Sequence, residues 1–131
     1  MAISYAPAVR NAMLEALETV VGVSAKLRIY SGTVPAVTAS IGAAVLLVEM
    51  SLPSDWMAAA SAGSKSLAGS WTGTAAATGT PTFFRIWDTA GTACGLQGTS
   101  AVGSGDLNLN GTITSGQSVT VSSFNLTEGN P

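Results

Sequence analysis

The chain has 131 residues, of which 47% are hydrophobic and only 9% are charged, with five basic and seven acidic side chains and no histidine. This length suits one domain around a single core, and the lack of histidine excludes every Ser-His or Cys-His nucleophile arrangement. Typical soluble domains carry about 25% charged residues, so the low charge favours a surface covered by partner subunits over a neutral surface of serine and threonine.

The first predicted element is an amphipathic helix over residues 4–22. Pro7 suits its first turn, Ser4 is a candidate N-cap, and Gly22 is placed to end it in a left-handed conformation. The helix either packs on the chain's own sheet, which we favour, or docks on a neighbouring subunit. Its apolar residues recur at spacings of three and four: Val9, Met13, Ala16, Leu17, Val20 and Val21.

From Lys26 onward the apolar period changes to two, and turn signals that contain glycine divide the chain into short pieces. This pattern predicts a mainly β fold, an antiparallel β-sandwich of about eight short strands with the one N-terminal helix, as a single domain over residues 1–131. The predicted strands are residues 26–30, 44–51, 65–70, 73–77, 82–89, 94–99, 107–113 and 118–126.

The fifth predicted strand is apolar on both faces. Phe83, Arg85 and Trp87 alternate with Phe84 and Ile86. Such a strand lies in the middle of a sheet, or a partner covers its second face.

In the last predicted strand, Val119 and Val121 alternate with polar residues and so point to one face, but Phe124 is at an even position and would point to the other face. The buried face therefore changes near Ser122, and we predict a β-bulge there.

Residues 31–42 and 53–64 are predicted loops, and the second contains the apolar pair Trp56 and Met57. This pair is either tucked under the sheet or anchors a partner contact. Because exposed apolar side chains are the plausible anchors, the predicted interface residues are Val9, Met13, Leu17, Trp56, Met57, Phe84 and Trp87.

Two short motifs could carry chemistry. Residues 64–66 offer a Ser-Lys pair, but neighbours on a strand point to opposite faces. Residues 106–111 match the first half of a calcium loop, but Gln117 stands where that loop needs a bidentate carboxylate. A strand with Leu107 and Leu109 facing the core explains the motif better. We therefore predict no enzymatic activity, no catalytic residue, no cofactor and no metal site.

The basic residues are scattered along the chain, which argues against a nucleic-acid partner. The longest apolar run, residues 41–48, is far shorter than the roughly 18 residues of a membrane-spanning helix. Cys94 has no cysteine partner and no charged neighbour in sequence, so we expect a small buried filler. No membrane association is predicted.

Several blocks of the sequence resemble a family of small proteins encoded beside the head genes of tailed bacteriophages. The resemblance spans nearly the whole chain. Its motifs are structural, so it carries over no active-site residue. The matching blocks are ISY at 3–5, RNAML at 10–14, AKLRIYSG at 25–32, FRIWDTAGT at 84–92, DLNLN at 106–110 and SVTV at 118–121.

This resemblance implies a virion structural protein, made in the host cytoplasm and located in the capsid. It would be a capsid decoration (cement) or minor capsid subunit that binds and stabilises the major capsid protein lattice. Such subunits commonly form symmetric homo-oligomers, and a trimer would match threefold lattice positions. The alternatives are a tail or head–tail connector component and, from another class, a carbohydrate-binding host-adhesion module that uses the regions of Trp56 and Trp71.

Overall fold

The computed structural model describes residues 3–37, 39–109 and 111–128. One helix and nine strands lie in these ranges, which confirms a mainly β fold with an N-terminal helix. The elements are α1 (Pro7–Val21), β1 (Lys26–Ser31), β2 (Val45–Ser51), β3 (Ser64–Ser66), β4 (Trp71–Thr74), β5 (Phe83–Trp87), β6 (Cys94–Val102), β7 (Leu107–Leu109), β8 (Ser118–Val121) and β9 (Asn125–Thr127).

Five strands form the main sheet in the order β2-β1-β5-β6-β7, and two further pairs, β3-β9 and β4-β8, complete the described strands. The pairing of β6 with β7 is parallel and every other pairing is antiparallel. β4 lies against β2 through a bridge between Val48 and Ala75, and β7 contacts β8. The result is a curled mixed sheet, so the prediction of a wholly antiparallel sandwich is confirmed only in part.

The helix begins at Pro7, whose fixed φ suits the first turn. Its cap position is Ala6, which makes no side-chain hydrogen bond, so the predicted Ser4 cap is wrong. Gly22 ends the helix as predicted, with a φ of 92° and an amide that donates to Glu18 O at 2.8 Å. A positive φ costs glycine little, because it has no Cβ.

β5 is the central strand of the main sheet, between β1 and β6, which is the first of the two alternatives that its apolar faces indicated. Phe84 and Ile86 belong to the core. On the opposite face, the Phe83 ring stacks on Tyr30 with centroids 4.8 Å apart. Arg85 Nη2 donates to Ala36 O and Ala39 O at 3.0 and 2.8 Å. The loop between β1 and β2 therefore reaches this second face from within the same chain.

A chain of aromatic rings runs through the core. Trp56 contacts Trp71, with centroids 6.2 Å apart, and Phe124 lies 5.5 Å from Trp71 and 5.6 Å from Phe84. Both tryptophans are fully buried, and each indole N–H donates, Trp56 to Gly22 O and Trp71 to Trp56 O. These bonds satisfy the polar edges that aromatic burial would otherwise leave unpaired.

Several strands are shorter than predicted. The predicted strand 118–126 is two strands, β8 and β9, separated by residues 122–124. A break in the strand rather than a bulge changes the buried face, so that Phe124 enters the core. In the predicted strand 107–113, β7 ends at Leu109, Asn110 lies outside the described residues, and Ile113 makes a single bridge to Gly79.

Candidate functional site

Three of the seven predicted interface residues are not on the surface. Trp56 is 0%, Met57 1% and Phe84 1% exposed, so the prediction that they are exposed anchors is wrong. The loop that carries Trp56 folds under the sheet. There the backbone carbonyl of Trp56 accepts a hydrogen bond from the Ala68 amide at 3.0 Å. Phe84 faces inward from the central strand. These side chains stabilise the core.

The other predicted interface residues lie at or near the surface. Val9 and Met13 are 45% and 39% exposed on the helix. Leu17 is partly buried and packs against the core. Trp87 is partly exposed on the outer face of the main sheet. The helix and this sheet face are thus the two regions where the predicted residues remain accessible.

The outer face of the helix is apolar. Val9, Met13, Ala16 and Val20 follow one another at spacings of four, three and four residues, which places them on one side of a helix. All four are exposed, and Val20 is 82% exposed. We call these four residues the apolar helix stripe.

The charged residues of the helix bond to the body of the protein, although the Glu15 side chain remains 46% exposed. The helix, which the structure describes in full, has three: Arg10, Glu15 and Glu18. Arg10 Nη1 donates to Glu128 O at 3.4 Å, and Glu15 accepts from the Ala60 amide at 2.6 Å. The opposite side of the helix therefore presents apolar residues to the solvent, where a surface helix usually presents its charged residues.

Lys65 on β3 holds the helix carboxylates. Its Nζ lies 2.9 Å from Glu15 Oε1 and 2.8 Å from Glu18 Oε2, donates to Ala58 O at 2.9 Å, and its side chain is fully buried. Burial alone would lower the pKa of Lys65, but the hydrogen bonds with Glu18 and Glu15 raise it. The ammonium therefore stays protonated at neutral pH, where it cannot act as the general base of a Ser-Lys pair.

A polar row crosses the outer face of the main sheet. Glu49, Arg28, Arg85 and Gln97 are successive register partners on β2, β1, β5 and β6. Arg28 Nε donates to Glu49 Oε2 at 2.6 Å, and Arg85 Nε donates to Gln97 Oε1 at 2.7 Å. The hydrogen bond from Arg28 lowers the pKa of Glu49. Sequence reasoning missed this row because cross-strand neighbours are defined only once the register is known.

The two arginines of this row flank one tryptophan. The Arg28 guanidinium lies 5.2 Å and that of Arg85 5.7 Å from the Trp87 ring centroid, which is cation–π distance. These three residues line an open cavity of about 410 Å³ together with Tyr30, residues 39–41, Thr92 and Cys94. We call it the Arg-Trp cleft. Trp87 is its one member among the predicted interface residues.

Cys94 is a free, partly buried thiol at the edge of this cleft. Burial raises its pKa, and the nearby Arg85 charge only partly offsets that effect. A raised pKa keeps the thiol protonated and weakly nucleophilic at neutral pH. The thiol is only partly buried, so the expectation of a small buried filler is met only in part.

The calcium-like motif is occupied by internal hydrogen bonds. Asp106 Oδ2 accepts from the backbone amide and the hydroxyl of Thr99, at 2.9 and 3.0 Å. Leu107 and Leu109 are buried and Asn108 is exposed between them, as predicted for a strand. In the ranges that the structure describes, no group of three or more acidic or cysteine side chains is placed to hold a metal ion.

Burial also removes the rings invoked for carbohydrate binding. Trp56 and Trp71 are both 0% exposed, and a sugar stacks only on an accessible ring face.

The described part of the chain contains no helix of the length and apolarity that crossing a bilayer requires. Comparison with protein-family models, with curated proteins and with solved structures finds no match for the chain.

Proposed function

We propose that this chain is a non-enzymatic structural subunit of a virus particle: a capsid decoration or minor capsid protein that binds the major capsid protein lattice. The observation that carries the proposal is the apolar helix stripe. Val20, at its C-terminal end, is 82% exposed, on a helix whose three charged residues all bond to the protein body. The sequence resemblance to phage head-region proteins is the reason for proposing that the assembly is a virus particle.

The helix is held in a way that suits docking. Lys65 fixes it to β3 through two carboxylates, and Asn11 Oδ1 accepts from the Gly63 amide at 2.9 Å. A surface that is rigid before binding loses less conformational entropy on association. The stripe is therefore a preformed apolar ridge for a groove on the lattice, and the depletion of charge matches the centre of an interface.

We also propose a symmetric homo-oligomer, with a trimer favoured, because threefold sites recur on such lattices. Within the subunit, we infer that the β3-β9 and β4-β8 pairs act as the second layer of a sandwich. Trp71 on β4 supports this, since it contacts Phe124 and through it Phe84 of the main sheet. Native mass spectrometry of the purified chain tests the oligomer, and a stable trimer is the expected species.

The location in the particle is tested by labelling this protein in intact virions and imaging them. A decoration or minor capsid subunit gives label over the whole head. Label confined to one ring at the tail vertex would support the alternative of a head–tail connector, and label along the tail would support a tail component. Virions without label would contradict the proposal.

The role of the stripe is tested by charge substitution. Val20→Glu should abolish incorporation into particles, because it places a charge within an apolar contact. Val102→Glu is the control, since Val102 is also exposed, at 44%, but lies on β6 away from the helix. Equal incorporation of the two variants would show that the stripe is not the contact.

A further inference from the structure

The Arg-Trp cleft breaks a rule of sheet construction. Arg28 and Arg85 are directly opposed on adjacent antiparallel strands, and like charges in that position destabilise a strand pair. Neighbouring residues compensate only in part, since Arg28 pairs with Glu49 but shares it with Lys26 at 3.5 Å. Local choices that oppose stability are most common at functional sites.

Arg85 carries the unbalanced charge. It is only 2% exposed, and its hydrogen bonds reach neutral acceptors: the Gln97 amide oxygen and the carbonyls of Ala36 and Ala39. No side-chain carboxylate in the described ranges forms an ion pair with it. A buried charge is normally paired, because desolvation is costly.

The other charges around the cleft do not change this balance. Lys26 and Arg28 add two positive charges, and Glu49 bonds to both of them. Asp88 follows β5, but its carboxylate accepts from the amides of Thr92 and Ala93 at 2.8 and 3.2 Å. Both nearby carboxylates are therefore occupied, and no described carboxylate on the cavity side pairs with Arg85.

A purely structural role explains part of this arrangement. The bonds from Arg85 to Ala36 and Ala39 hold the loop between β1 and β2 on the sheet. A neutral donor could hold that loop equally well. The structural role also leaves unexplained the second guanidinium, the open volume of about 410 Å³ and the buried Trp87 Nε1, which has no hydrogen-bond partner in the described ranges.

We propose that the Arg-Trp cleft binds a carboxylate group, with Arg28 and Arg85 sharing its charge and the Trp87 ring packing on the carbon chain that bears it. The volume falls within the range of small-ligand sites, which is roughly 300–1,000 Å³. Guanidinium groups recognise carboxylates through charge-assisted hydrogen bonds. The carboxylate comes from an acidic side chain of a peptide or from a free organic acid. This inference does not depend on a role in a virus particle.

The test follows the indole N–H and arginine Nε–H resonances of the full chain by NMR at low ionic strength, where charge interactions are least screened. The probes are a capped glycine–glutamate–glycine tripeptide, its glutamine counterpart, propionate, propionamide and sulfate. We expect the two carboxylate probes to shift the Trp87 and Arg85 signals and the two amides to leave them in place. Tighter binding of the tripeptide would assign the carboxylate to a peptide, and equal binding of propionate would assign it to a free acid.

A variant that preserves the fold tests the site without removing an arginine that holds the loop. Ser40 is exposed, lines the cleft, and its Oγ accepts from the Gly42 amide at 3.2 Å. Ser40→Asp keeps an acceptor for that amide and supplies a tethered carboxylate. It should weaken propionate binding about tenfold and raise the melting temperature. Ser40→Asn, the neutral control, should do neither.

Three results would overturn the proposal. The first is an absence of shifts with both carboxylate probes. The second is equal binding of the glutamate and glutamine tripeptides, which would make the charge irrelevant. The third is sulfate binding at least as tight as that of propionate, which would indicate a general anion site rather than a carboxylate site.

Discussion

The ammonium of Lys65 lies 2.8 Å from the Glu18 carboxylate, and this buried contact joins β3 to the helix. Glu15 and the Ala58 carbonyl complete its shell. Removing the ammonium leaves two carboxylates close together and one carbonyl unpaired. Breaking a buried ion pair on one side is therefore more costly than its net contribution suggests.

Lys65→Met should lower the free energy of unfolding by about 2–3 kcal/mol, as measured by urea denaturation. Lys26→Met is the matched control, because Lys26 forms a partly exposed pair with Glu49 at 3.5 Å. Exposed pairs contribute about 0–1 kcal/mol. Similar losses in both variants would mean that the Lys65 cluster does not fix the helix.

Stability should fall in acid, and two carboxylates with a lowered pKa contribute to this fall. The Ala60 amide and the Lys65 ammonium hold the pKa of Glu15 below its ordinary value of 4.5, and the bond from Arg28 does the same for Glu49. A carboxylate whose pKa is lowered in the folded state stabilises the protein at every pH above its pKa in the unfolded chain. This contribution is lost as the pH falls below about 4.5.

Glu15→Gln should therefore reduce the loss of stability in acid, measured as the urea midpoint from neutral pH downward. Asp55→Asn is the control, since Asp55 is exposed and makes no hydrogen bond or ion pair in the described ranges. The pH dependence that Lys65 contributes has the opposite sign. Because the pKa of Lys65 is raised in the folded state, its contribution to stability is fully present at a pH below the ordinary lysine pKa of 10.5 and is lost only at higher pH. A Glu15→Gln profile parallel to that of the unmodified chain would contradict the assignment.

The periodicity of apolar residues predicted those elements that are determined by residues close together in the sequence. The helix and the central position of β5 follow from local patterns of apolar residues. The β6–β7 pairing could not be predicted, because parallel strands normally need a crossover of a dozen or more residues, whereas only residues 103–106 separate these two. Composition does not reveal such a short connection.

The candidate sites divide in the same way. The helix stripe is visible in the sequence as apolar residues at spacings of three and four, but which side of the helix faces the sheet is not. The burial of Trp56 depends on the path of a loop, and the opposition of Arg28 and Arg85 depends on strand register. Both are long-range features, which local patterns do not encode.

Gly73 is required by the close approach of β4 to β2. A Cβ at this position would lie 2.6 Å from the Glu49 carbonyl oxygen and 3.0 Å from Met50 Cγ. Gly73→Ala should therefore cost about 1–3 kcal/mol of unfolding free energy, because the backbone must move. Gly111→Ala is the control, as a Cβ there meets nothing within 4 Å. If calorimetry gives equal melting temperatures for the two variants, the strands are not in close contact.

Trp56 connects the end of the helix to the core, since its indole N–H donates to Gly22 O at 2.9 Å and its ring lies against Trp71. Trp56→Phe removes this donor and part of a fully buried ring, so both a hydrogen bond and packing are lost. We expect the free energy of unfolding to fall by about 2–3 kcal/mol and amide hydrogen exchange at the last turn of the helix to become faster. Trp87→Phe is the matched change, because the Trp87 indole N–H has no partner in the described ranges. It should cost less and leave exchange in the helix unaltered. If Trp87→Phe proves the more destabilising of the two, the hydrogen bond to Gly22 does not secure the end of the helix.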